Sequence, residues 1–282
     1  MLNIKISGFA DEISPDTTAQ FEHLNKLNIE YFEPRGIDGK NISDLTLDEA
    51  NALKHKMEKY GIKVSSIGSP IGKIFITDEF EPHLDKLNHT IQIAKILGTK
   101  YIRIFSFFIP KGEDANNYRG EVIKRMKAMT DIAEKQDIIL LHENEKEIYG
   151  DIASRCVDVI ESVNSPNLKA VFDPANFVQC AEDTIKAYDM LKNHIEYMHI
   201  KDATSDGTVV PAGHGMGNVE YILTELSKKN YSGFLSLEPH LGCFEGLANL
   251  ELDDEMLKLE KSDASKFTLA YTQLKKILDK LN

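Results

Sequence analysis

The 282-residue chain has no tryptophan and only three cysteines, Cys156, Cys180 and Cys243. An odd, widely spaced set suits a reducing cytosol better than a disulfide framework. Cys156 falls in a helical pattern and reads as a small buried apolar side chain. Long apolar runs are also missing. None approaches the roughly 18 residues needed to span a bilayer, so no membrane partner is expected. The opening MLNIKISGFADEIS has no positively charged segment followed by an apolar core, so no signal peptide is expected, and the cysteine usage points to a cytoplasmic protein. Positive charge is in deficit, with 33 Lys and Arg against 45 Asp and Glu, a formal net charge of −12. That balance opposes a nucleic-acid partner. After the first strand stands GFADEIS and no glycine-rich phosphate loop, which argues against an open dinucleotide-binding sheet.

What is present is a regular alternation. Strand-like segments occur at Ile4–Phe9, Tyr31–Glu33, Val64–Ser69, Tyr101–Phe105, Ile138–Glu143, Ala170–Asp173, Tyr197–Lys201 and Phe234–Glu238. Between them run stretches with apolar residues three or four apart, such as Phe21, Leu24 and Leu27, or Leu274, Ile277, Leu278 and Leu281. Helix boundaries carry matching signals. Ser14-Pro15-Asp16 precedes the first helix, with the proline suited to its opening turn. Thr46 and Glu49 have capping-box spacing, and Gly61 and Gly98 stand just past helix ends.

Eight strands alternating with eight helices require an all-parallel sheet, since parallel neighbours need crossover connections. A single-domain (β/α)8 TIM barrel over residues 1–282 is the simplest closure, with an open doubly wound sheet as the other arrangement. One segment breaks the rhythm. Residues 241–263, LGCFEGLANLELDDEMLKLEKSD, form an acidic insertion between the eighth strand and the last helix, too long for an ordinary βα connection. It reads as a solvated loop, or as a lid over the barrel mouth or part of a subunit contact.

Glu143, Asp173, His199 and Glu238 close the runs IILLHE, LKAVFD, IEYMH and GFLSLE. Their intervals of 30, 26 and 39 residues each match about one β/α unit, so they fall on the fifth to eighth strands. Neighbouring strands lie about 4.8 Å apart, so groups at matching heights can converge. Three carboxylates and an imidazole at one rim would repel each other, and a divalent cation resolves that repulsion. Oxygen-rich ligation with one imidazole suits Mn2+, Mg2+ or Co2+ and does not exclude Zn2+.

The segments LLHENE, VFDPANF, YMHIKD, PAGHGMGNVEYIL and GFLSLEPH together resemble the xylose-isomerase-like superfamily, which holds sugar-phosphate isomerases and epimerases, ketose 3-epimerases and inosose dehydratases. The likeness spans essentially the full length. It implies that Glu143, Asp173, His199 and Glu238 ligate one divalent ion, often manganese, and that Glu143 and Glu238 form the acid/base pair. Asn176 stands where several relatives carry a histidine, which favours a substrate contact and a single metal. His214 lies in GHGMG, where many relatives have an acidic residue. Lys201, His240, Arg103, Glu33 and His214 complete the expected substrate-binding set, and Arg103 could grip a carboxylate or phosphate.

Two carboxylates flanking a ketone can take a proton from one face and return it to the other, giving epimerisation; return at the neighbouring carbon gives isomerisation. The expected activity is a metal-dependent isomerase or epimerase of a keto-sugar or sugar derivative, in carbohydrate metabolism. A lyase or dehydratase acting on a keto-polyol or 3-keto-glycoside is the alternative. An abasic-site endonuclease is the remote one, because strands VSSIGS and YIRIF offer no extra histidines for more metal ions. The partner is a small sugar-like molecule, and a homo-oligomer is compatible with the fold.

Overall fold

The computed structural model describes residues 4–244 and 260–281, so the expected insertion lies largely outside the described residues. The strands that form the barrel are β1 (Lys5–Gly8), β2 (Tyr31–Phe32), β3 (Lys63–Val64), β4 (Tyr101–Ile104), β5 (Ile139–Glu143), β6 (Leu168–Phe172), β7 (Ile195–Ile200) and β8 (Phe234–Leu237). β1, β8, β7, β6, β5 and β4 pair in that order as one curled sheet, all parallel. β2 and β3 pair with each other, also parallel. Single backbone bonds join the two groups. The Glu33 N–H donates to Gly8 O at 2.9 Å, the Ile67 N–H to Tyr101 O at 2.9 Å, and the Arg103 N–H to Ile67 O at 2.9 Å. The circuit therefore closes into the expected TIM barrel.

The third strand, Lys63–Val64, is shorter than the expected Val64–Ser69, although the Ser65 N–H still donates to Phe32 O at 2.9 Å. Ser65 Oγ also donates to Phe32 O at 3.0 Å and lies 2.6 Å from Ser7 Oγ.

Helices α1 (Thr17–Lys26), α2 (Leu47–Tyr60), α3 (Glu81–Leu97), α4 (Arg119–Lys135), α5 (Ala153–Val163), α6 (Pro174–Gln179), α7 (Thr184–Leu191), α8 (Val219–Lys228) and α9 (Ala264–Leu281) follow the strands. No helix among the described residues is long and apolar enough to cross a membrane. The alternation is less strict than the sequence suggests. The short α6 precedes α7, and small antiparallel ribbons join Gly36–Ile37 to Lys40–Asn41 and Asp202–Ala203 to Val209–Val210. Asp173-Pro174 explains α6: Asp173 caps it and proline opens it without forfeiting a bonded N–H. At α1 the cap is Asp16, which accepts from the Thr18 N–H at 2.6 Å, so Pro15 stands before the helix and not in its first turn. The Thr46–Glu49 capping box is present, and Gly61 and Gly98 end their helices at φ of 70° and 80°.

Core packing follows the periodicities. On α5, Ala153, Cys156, Val159 and Ile160 are buried at helical spacing against the sheet. Each large side chain removed from water in this shell stabilises the fold by roughly 1.5–3 kcal/mol. Inside the barrel, period-two alternation stacks residues of equal parity. Leu141, Val171 and Tyr197 form an apolar layer, and two residues further along the same strands come Glu143, Asp173 and His199. These polar residues therefore stand on a buried, mainly apolar layer.

His83 on α3 ties this helix to the loop between β3 and α3. Its Nε2 accepts from the Gly72 N–H at 2.7 Å. Gly72 itself has φ of 92°, and a Cβ there would fall 2.0 Å from Phe105 O, so only glycine fits. Burial, helped by the charges of Lys86 and Arg125, lowers the His83 pKa to about 4. An unfolded chain takes up that proton near pH 6.5, before the folded one does. Stability from this residue is complete above about pH 6.5 and drains away as pH falls towards 4, by roughly 3 kcal/mol at most. Denaturant midpoints measured from pH 7 to 4 should fall less steeply in His83→Gln than in the parent; parallel curves would contradict this.

Candidate metal centre

Strand ends deliver the site. Glu143 is the last residue of β5, Asp173 follows β6, His199 is the penultimate residue of β7, and Glu238 follows β8. All are buried, and one ligating atom from each lies within 4.8 Å of the others. His199 Nδ1 is 2.8 Å from Glu143 Oε1 and 3.4 Å from Glu238 Oε2. Asp173 Oδ1 accepts the Asn176 N–H at 3.0 Å, whereas Asp173 Oδ2 is buried with no hydrogen bond and has the Lys201 ammonium beside it, at 3.1 Å. A carboxylate oxygen in that position, facing an imidazole nitrogen and two further carboxylates, fits a hard divalent cation.

The surroundings orient this set. Asn144 makes a reciprocal pair with the Asp173 backbone, donating Nδ2–H to its carbonyl at 2.9 Å and accepting its N–H at 2.9 Å. Glu33 Oε2 lies 3.3 Å from His199 Nε2 and accepts from the Tyr197 hydroxyl at 2.8 Å and the Ser236 hydroxyl at 2.7 Å. It stands behind the imidazole and fixes which nitrogen faces the carboxylates. Glu33, expected to contact substrate, is fully buried among Tyr197, Ser236 and His199. Burial alone would push the His199 imidazole down, but Glu143, Glu33 and Glu238 outweigh it and hold it well above its ordinary range.

The other expected residues separate clearly. Asn176 donates Nδ2–H to Asn144 O at 2.9 Å and reaches Glu143 Oε1 at 3.4 Å. Lys201 Nζ lies 3.1 Å from both Asp173 Oδ2 and Glu238 Oε2. Arg103 Nη1 lies 3.2 Å from Glu143 Oε2 and 3.6 Å from Glu238 Oε1, with the guanidinium between the rings of Phe9 and Phe105 at 4.9 Å from each. The anion it grips is thus the chain's own acid pair. His240 Nε2 lies 3.4 Å from Glu238 Oε1, and burial keeps this imidazole well below its usual pKa. Burial would raise the Glu238 carboxyl, yet Lys201 foremost holds it well below the usual carboxylate range.

His214 does not join the cluster. It is exposed, in a loop whose amides turn elsewhere. The Gly213 and Gly215 N–H groups donate to Asp202 Oδ2 at 3.0 Å each, and the Gly217 N–H to Asp202 Oδ1 at 2.7 Å. The anion cradled by the glycine-rich loop is therefore an internal carboxylate, which locks the loop to the end of β7. A Cβ on Gly215 would fall 2.4 Å from Asp202 Oδ1, which accounts for the glycine.

Four rim residues, Asp11, Glu12, Glu145 and Lys73, escaped the sequence reading, and the first two gather around Arg35. Arg35 is bound by Asp11, at 2.8 and 3.0 Å, and by Glu12 at 3.2 Å, and it reaches Glu238 Oε1 at 3.2 Å. Burial raises the Glu12 carboxyl to about 8 despite Arg35 beside it. Glu145 and Lys73 pair at 3.3 Å, with Lys73 over the Phe105 ring. Their signal was positional: Asp11 and Glu12 stand three and four residues beyond β1, and Glu145 sits two residues beyond Glu143.

Comparison with known proteins adds the following. The family model described as xylose isomerase-like TIM barrel matches residues 21–259. A curated relative, a 3-dehydroshikimate dehydratase of Bacillus anthracis, is 21% identical over 162 residues, covering 57% of this chain. The chain spans only 56% of that relative's length. Among solved structures, an L-ribulose 3-epimerase superposes with a TM-score of 0.76 at 17% identity, covering 100% of this chain and 96% of its own. The IOLI protein with a bound zinc atom gives 0.75 at 17% identity, with 99% of each chain covered. At such identities the structural likeness carries the fold.

Proposed function

Because the chain belongs to the xylose isomerase-like TIM barrel family, we propose that it acts as one catalytic barrel unit, a divalent-metal-dependent isomerase or epimerase of a keto-sugar or sugar derivative. The observation that carries this reading is the convergence of Glu143, Asp173, His199 and Glu238 within 4.8 Å on a buried rim. A divalent ion held by these four, manganese foremost, would supply the positive charge that an enediolate needs.

The chain's own residues do the rest. Glu143 and Glu238 arrive from β5 and β8, two strands separated by β6 and β7, and can address a bound ketose from different sides. One accepts the proton beside the carbonyl and the other returns one, which inverts that carbon; return at the neighbouring carbon moves the carbonyl. Asn144 and Glu33 hold Asp173 and His199 in place, so the site is rigid before substrate arrives. Asn176, Lys201 and His240 offer hydrogen bonds to hydroxyls at the same rim.

A second reading keeps the same proton abstraction and ends in loss of a β-hydroxyl. It is favoured by the curated relative being a dehydratase. Incubation of the protein with Mn2+, deuterium oxide and a panel of ketoses and 3-keto sugars separates the two. Deuterium at the carbon beside the carbonyl of recovered substrate and of its epimer or isomer is expected. An enone product with release of water would replace the isomerase by the lyase, and no exchange with any substrate would remove both.

A further inference from the structure

Two buried cations flank the candidate metal ligands, and they use different oxygens. Arg103 Nη1 faces Glu143 Oε2 and Glu238 Oε1, at 3.2 and 3.6 Å. Those are the outer atoms of each carboxylate, since Glu143 Oε1 and Glu238 Oε2 are the ones near His199 Nδ1, at 2.8 and 3.4 Å. Arg103 therefore leaves the inner oxygens free for a metal. Lys201 does the reverse. Its Nζ stands 3.1 Å from Glu238 Oε2, the inner atom. It stands equally close, at 3.1 Å, to Asp173 Oδ2, the oxygen left over once Oδ1 has accepted the Asn176 N–H. The side chain is buried, so solvent does little to screen its charge.

We propose that Lys201 is a positioning residue that shares Asp173 and Glu238 with the metal ion, tempering metal affinity, whereas Arg103 braces the carboxylates without competing for the same atoms. The inference rests on the metal reading above. A unit charge and a divalent ion drawn to the same two oxygens repel strongly in a low-dielectric interior. The ammonium must shift as the ion enters, and its N–H groups then turn towards whatever lies next to the ion. Arg103 undergoes no such displacement, because its partners are the far oxygens.

The test compares Mn2+ binding to the full-length chain and its variants after chelator dialysis, by calorimetry and by thermal shift. Lys201→Met should bind Mn2+ at least tenfold more tightly than the parent and show a larger thermal increment on adding the ion. Lys201→Gln serves as a second neutral variant, and Lys201→Arg should stay close to the parent. Arg103→Met should gain no affinity. A merely structural role for Lys201 predicts weaker binding on its loss, so a gain is diagnostic. If the parent binds Mn2+ and both neutral variants bind equally or more weakly, the inference is overturned and the metal centre stands. If neither parent nor variants bind Mn2+, Zn2+ or Mg2+, the metal reading falls and the inference falls with it.

Discussion

Glu143→Gln is expected to lower turnover about a thousandfold, within the 10²–10⁴ range usual for loss of a general acid or base. The substitution is nearly isosteric. It keeps a carbonyl oxygen that can face His199 Nδ1, now 2.8 Å from Glu143 Oε1, and removes the group that can carry a proton. The Arg103 contact at 3.2 Å weakens with the lost charge, so metal content must be measured on the same sample. Retained metal with lost solvent exchange places the defect in proton transfer. Turnover within tenfold of the parent would remove Glu143 from that role.

Arg35→Met is expected to lower stability by roughly 3–5 kcal/mol, the usual consequence of removing one partner from a buried ion cluster. In a chain of this size that is a fall in melting temperature of about 10 °C. Arg35 holds Asp11 through two hydrogen bonds, at 2.8 and 3.0 Å, and contacts Glu12 and Glu238 at 3.2 Å each. Its guanidinium is clasped between Phe9 and Phe244, at 4.4 and 4.0 Å from their ring centres. Methionine preserves the packing against both rings and leaves the carboxylates facing each other. Glu12 already tends towards its neutral form, with its pKa raised by burial to about 8, which offsets part of the loss. Thermal and denaturant unfolding read the effect. A shift smaller than about 1 kcal/mol, below the span expected for broken buried pairs, would show that water or another cation replaces the arginine.

The barrel was legible because its signals are local and periodic. Apolar runs of strand length, amphipathic helices, the Thr46–Glu49 box and the glycine stops each need only a few neighbouring residues to be read. The cluster of Glu143, Asp173, His199 and Glu238 was legible for a related reason: one chemistry-bearing residue stood at or near the end of each of four consecutive strands, and closure of the barrel brings strand ends together. What stayed hidden depends on pairings distant in sequence. Glu33 has the same inward parity as a substrate contact, and only the closed barrel shows Tyr197, Ser236 and His199 around it. His214 lies in a loop that looks fit for an external anion, but Asp202, eleven to fifteen residues before the donating glycines, already fills it. Asp11 and Glu12 took meaning only when Arg35 reached them across the mouth. The extra helix α6 likewise follows from an Asp-Pro cap, a detail too short to leave a periodic trace.

The most direct measurement is an anomalous difference map at the manganese edge from crystals grown with Mn2+. One peak per chain is expected, within bonding distance of Glu143, Asp173, His199 and Glu238. A peak elsewhere, or none at this rim with the ion in excess, would contradict the account at its root.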